Sequence, residues 1–200
     1  MSPLSKDEQR SLLELARRAI ATALAGSPLQ PEAVATSIPA GSLREPGAVF
    51  VTLHRQGQLR GCVGMPRAWK PLYQAVIEGA LSAAFYDPRF PSVAAEELPA
   101  LEIEISVLSP LVLIQPDQVI PGEHGLMVSD GFQRGLLLPQ VAREHGWSRE
   151  QFLEETCAKA GLERTAWKRG VQLEAFTALV FSEADCGAEP VPARQHPSRP

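Results

Sequence analysis

Apolar and polar positions alternate or recur along this chain with enough regularity to predict most of its elements. Leu12, Leu15, Ala16, Ala19, Ile20, Ala23 and Leu24 fall at helical spacing, with Arg10, Arg17 and Arg18 off the stripe. Ser5 followed by Glu8 is a capping box that starts this helix, and Gly26 and Pro28 stop it. The stretch 28–46 holds four prolines and reads as a wrapped surface segment. From Ala48 to Gly64 the pattern is a β-hairpin: Val49 to His54, a turn at Gln56-Gly57, and a return from Leu59 to Val63. Pro71 opens a second helix whose inner stripe, Leu72, Ala75, Val76, Gly79, Ala80, Ala83 and Ala84, is built of small residues suited to close packing on a sheet. Asp87-Pro88 ends it, because the residue before proline is pushed out of helical geometry.

Further on, Leu101 to Val107 alternates apolar and polar, as a strand with one buried face does. A second hairpin is expected over 125–138 around Asp130-Gly131. A short helix follows from Pro139 to near Gly146, and another is capped by Ser148 with Gln151 and stopped by Gly161. A last strand is expected from about Val171 to Phe181. Hairpins rather than βαβ units join the strands, so the predicted class is α+β with a mainly antiparallel sheet and flanking helices. Residues 1–184 read as one domain, and 185–200, with four prolines and no periodicity, as a disordered tail.

Composition narrows the function classes. In 200 residues there are 18 prolines and 15 glycines, 44% hydrophobic and 21% charged residues, which is a globular balance. A net charge of −4 argues against a nucleic-acid binder driven by bulk charge. No apolar run reaches the roughly 20 residues that span a bilayer, and the N-terminus has no secretory pattern. Cys62, Cys157 and Cys186 are odd in number and far apart, so they read as thiols in a reducing, cytoplasmic setting. No pair of histidines or cysteines has the spacing of a zinc site, so no metal is expected. Cofactor and oligomeric state are left open.

The chemistry-bearing segment is Leu59-Arg60-Gly61-Cys62-Val63-Gly64. In an unbroken strand Arg60 and Cys62 share a face, and a guanidinium beside a thiol favours the thiolate. Gly61 and Gly64 leave room for a substrate or another backbone. The plainer alternative is a small buried cysteine in a tightly packed strand. Asp87 and Arg89 form either a local turn with its own ion pair or, through the Arg89 fork, an anion-binding element. Glu102, Glu104 and Ser106 share one strand face, a place for acid–base chemistry or a merely solvated surface. His124 is a general-base candidate for Cys62 or a loop histidine bonded to backbone. Cys157 lies on an apolar stripe and reads as core.

These residues resemble the AMMECR-one domain family, whose prokaryotic members are called AmmeMemoRadiSam system protein A. The resemblance rests on Phe50 to Leu53, the Arg-Gly-Cys hexapeptide 59–64, Ala83 to Phe90, Glu96 to Leu98, the 102–109 strand, His124 to Leu126, Gly135 to Val141, Gly146-Trp147, and Thr156 to Leu162 followed by Trp167. Val63 stands where many members have isoleucine. The resemblance implies an α+β fold with a larger and a smaller subdomain and a cleft between them. It places the functional site at Arg60, Gly61, Cys62 and Gly64, with Asp87, Arg89, Glu102 and His124 around it. It also implies two partners, a Memo-like protein and a radical S-adenosylmethionine protein. Two functions follow as expectations: an enzyme or enzyme component with Cys62 as a thiolate nucleophile, or a non-catalytic binding or scaffold module. A Cys62 thiol that is buried, unreactive to alkylation and weaker as an acid than a free thiol removes the first.

Overall fold

The computed structural model describes residues 4–186. The first helix, α1 (Lys6–Leu24), carries the expected capping box at Ser5 and Glu8 and buries Leu12, Leu13, Ala16, Ala19 and Ile20. A one-turn helix, α2 (Pro31–Val34), sits within the proline-rich wrap and anchors it through Val34. Strands β1 (Ala48–Arg55) and β2 (Gln58–Met65) form the first hairpin. Its two-residue turn places Gln56 at φ 53° and Gly57 at φ 74°, the mirror-image turn that matches strand twist. Helix α3 (Leu72–Phe85) follows, then β3 (Leu101–Leu108).

The next segment builds a second unit. It comprises β4 (Val112–Leu113), β5 (Gly125–Asp130), β6 (Gln133–Leu137), α4 (Pro139–Glu144), α5 (Arg149–Lys159) and β7 (Gln172–Phe176). The chain then returns to the first unit with β8 (Ala178–Ser182) and α6 (Glu183–Cys186). Two four-stranded antiparallel sheets result, in orders β2-β1-β3-β8 and β4-β7-β5-β6. The fold is α+β, and the smaller lobe is an insertion between two strands of the larger.

The final strand expected over 171–181 is two strands in different sheets. An alternating run reads the same in sequence whether or not it changes sheet, and the break at Thr177 carries no proline or glycine. The crossing is fastened to the other crossover. Ser109 N–H donates to the Thr177 carbonyl at 2.9 Å, and Thr177 N–H donates to Ser109 Oγ at 2.9 Å. Asp185 and Cys186, expected in the tail, belong to α6 instead. The rest of the expected tail lies outside the described residues.

Each lobe has its own core. In the larger, Val49, Val51, Leu53, Ile103, Ile105, Val107 and Phe181 face α1 and α3. In the smaller, Leu126, Val128, Leu173 and Ala175 face α5 through Phe152, Leu153 and Cys157. A third cluster of Ala48, Leu108 and Phe176, with Phe50, Leu136 and Leu138 against it, joins the lobes. It covers one end of the larger sheet's second face and leaves the other end polar.

Candidate functional site

That polar end is organised by strand register. Cys62 on β2 stands opposite Thr52 on β1, Thr52 opposite Glu104 on β3, and Glu104 opposite Ser182 on β8. A thiol, a hydroxyl, a carboxyl and a second hydroxyl thus form one row across all four strands. Directly opposed side chains in such rows are about 5 Å apart at Cβ. Thr52 is 6% exposed, and its hydroxyl lies 3.3 Å from Cys62 Sγ. Cys62 and Glu104 are half-buried. One row further toward the smaller lobe, fully buried Ser106 accepts from Gln140 Nε2 of α4 at 3.4 Å. Gln140 Oε1 is buried with no donor.

The outer edge of β2 is held by side chains in place of a strand. Cys62 N–H donates to Asp87 Oδ2 at 2.8 Å, and Arg89 Nη2 donates to the Cys62 carbonyl at 3.2 Å. Asp87 also takes Arg89 Nε at 2.9 Å, Nη2 at 2.7 Å and the Arg89 backbone N–H at 3.1 Å. The Asp-Pro-Arg turn after α3 therefore presents one acceptor and one donor to Cys62, as a neighbouring strand would. The Arg89 guanidinium, with the Cys62 and Arg89 N–H groups, holds the Asp87 carboxyl well below its usual range.

The thiol is set by opposing influences. Burial pushes Cys62 up, and the charges of Asp87 and Glu104 add to this; the Thr52 hydrogen bond and the Arg89 charge pull it down. Burial is the largest, so the resting group is a neutral thiol. The Glu104 carboxyl is likewise pushed up, chiefly by burial and further by Glu144, Asp185 and Glu102, against the pull of His54.

Several expected residues sit elsewhere. Arg60 was expected beside the thiol, but the ladder shifts there: Leu53 pairs with Gly61 and His54 with Leu59, so Arg60 is an unpaired bulge residue. Its guanidinium grips Glu97 with both oxygens at 2.9 Å, and Nη1 is buried without a partner. The cation acting on Cys62 is Arg89. Gly61 and Gly64 are packed too closely to carry a side chain. A Cβ on Gly61 would lie 2.2 Å from the Ala83 carbonyl of α3, and one on Gly64 would meet the Val49 carbonyl and Phe50. His124 belongs to the smaller lobe, where Nδ1 accepts the Ile120 N–H at 3.2 Å, the loop-histidine arrangement. Glu102 is exposed, so Glu104 is the carboxyl of the row. Thr52 and Ser182 are not singled out from sequence, because only strand pairing puts them in the Cys62 row; Gln140 joins the same face from α4 through Ser106. Cys157 is fully buried core.

Among the described residues no group of three or more His, Cys, Asp or Glu is placed to hold a metal ion. No helix among them is long and apolar enough to cross a membrane.

Known proteins share this architecture and sequence. The AMMECR1 family model matches residues 13–181. A protein of Methanothermobacter thermautotrophicus is 47% identical over 168 residues, covering 80% of this chain and 86% of the relative. Protein PF1979 of Pyrococcus furiosus is 44% identical, covering 86% of each. The crystal structure of the uncharacterised protein PH0010 from Pyrococcus horikoshii superposes with a TM-score of 0.80 at 40% identity, over 90% of this chain and 96% of that one. With matches of this extent, the chain belongs to the AMMECR1 family.

Proposed function

We propose that this chain is the binding component of an enzyme system, and that its ligand is a small uncharged polar molecule held on the larger sheet at Cys62. The observation that carries this reading is the register row Cys62, Thr52, Glu104 and Ser182. Burial favours the neutral form of both its titratable members. A neutral thiol, two hydroxyls and a carboxyl whose burial disfavours its charge offer donors and acceptors side by side. The buried Gln140 Oε1 adds an acceptor that awaits a donor. Catalysis would then belong to partners, for which the family resemblance supplies a Memo-like protein and a radical S-adenosylmethionine protein.

A second reading keeps Cys62 as the nucleophile. It is favoured by the Thr52 hydrogen bond and the Arg89 charge, both of which pull toward the thiolate. On that reading the thiol ionises only where positive charge brought by ligand or partner outweighs the burial. Native mass spectrometry of the protein purified with both partners co-expressed separates the two. The binding reading predicts a small-molecule adduct and retained partners in wild type and in Cys62→Ser, and no adduct in Glu104→Arg. Absence of any adduct together with no partner association contradicts it. A covalent adduct on Cys62 establishes the nucleophile instead.

A further inference from the structure

A second site lies on the other side of the loop that follows β2. Residues Pro66, Arg67 and Trp69 face Met127, Arg134 and Leu136 of the smaller sheet across a hollow of 330 Å³. That volume is at the lower end of small-molecule sites. The walls differ in chemistry. Trp69 is 75% exposed and offers an indole that no other side chain covers fully, while Met127 is buried and, with Leu136, makes an apolar floor.

The two arginines are not equivalent. Met127 pairs with Glu174 across β5 and β7, which puts Glu174 on this same face. Its side chain is 9% exposed, its Oε2 has no hydrogen bond, and that oxygen lies 3.6 Å from Arg67 Nη2. Glu174 therefore holds Arg67 against the sheet and repels a second anion there. Arg134 shares the face with Leu136, two residues on, is exposed, and has no ion pair or side-chain hydrogen bond among the described residues. A guanidinium left free at the mouth of an aromatic and apolar hollow suits a flat ring carrying a phosphate or carboxylate.

We propose that this hollow binds a planar aromatic anion of mononucleotide size. The ring lies between Trp69 and the Met127–Leu136 floor, and the anion sits on Arg134. Arg67, neutralised by Glu174, is part of the wall. This site goes beyond the Cys62 reading and shares no residue with it.

Isothermal titration with adenosine monophosphate, adenosine and inorganic phosphate tests the proposal. Both side chains to be changed are exposed, so the fold is not at stake. Adenosine monophosphate is expected to bind at least tenfold more tightly than either fragment. Arg134→Gln and Trp69→Ala are each expected to weaken it at least tenfold with unchanged melting temperature, and Cys62→Ser to leave it unchanged. Equal or absent binding of all three compounds to the wild type, or full affinity in Arg134→Gln, overturns the site. Loss in Cys62→Ser alone would assign the binding to the other face and overturns it equally.

Discussion

Asp87 accepts the Cys62 N–H at 2.8 Å while its own partner, Arg89, caps the Cys62 carbonyl. The signature cysteine is thus fixed from the strand edge by backbone contacts, which leave its sulfur to the polar row. Asp87 is the keystone of this arrangement, with a side chain 2% exposed that satisfies four donors.

Removing that carboxylate strands the Cys62 N–H and frees Arg89. Asp87→Ala is expected to lower unfolding free energy by about 2–3 kcal/mol; half-exposure of Arg89 keeps the figure below that of a fully buried pair. Urea unfolding measures it, and a loss within experimental error of zero would mean that the edge clamp is incidental.

Acid sensitivity follows from the second clamp. Arg60, with the Ala94 N–H, lowers Glu97 from an ordinary 4.5 to about 2. A depressed folded pKa contributes stability that is present above the unfolded value and lost as pH falls through the folded one. The melting temperature is therefore expected to fall as pH drops from about 5 toward 2, and less steeply in Glu97→Gln. Parallel profiles for the two proteins would refute the Arg60–Glu97 coupling.

Tight packing behind the signature makes its first glycine irreplaceable. With the Ala83 carbonyl 2.2 Å from a built Cβ, Gly61→Ala must push α3 off the sheet. An expected cost of about 3 kcal/mol is readable as a lowered denaturation midpoint. A neutral outcome would return Gly61 to the ligand-access role.

The fold was largely legible because its periodicities are local. The capping boxes at Ser5 and Ser148, the Gln56-Gly57 turn and the alternation over 101–107 each name their element from neighbouring residues alone. What sequence could not supply was pairing. One bulge at Arg60 breaks the alternation on which its companionship with Cys62 rested. Thr52, Glu104 and Ser182 reach Cys62 only through three ladders, one of them closed by a strand more than 70 positions away. The crossing at Thr177, which splits one expected strand between two sheets, is fastened to Ser109 and is likewise a long-range event.

The central claim, a neutral Cys62 thiol at rest, is tested most directly by its alkylation rate against pH, resolved from Cys157 and Cys186 by peptide mapping. The rate is expected to titrate above the free-thiol value of about 8.5, and Thr52→Val, which removes the hydroxyl at 3.3 Å, to shift the profile higher still. A Cys62 that reacts fully at neutral pH, with a midpoint below about 7, would contradict the account and restore the thiolate.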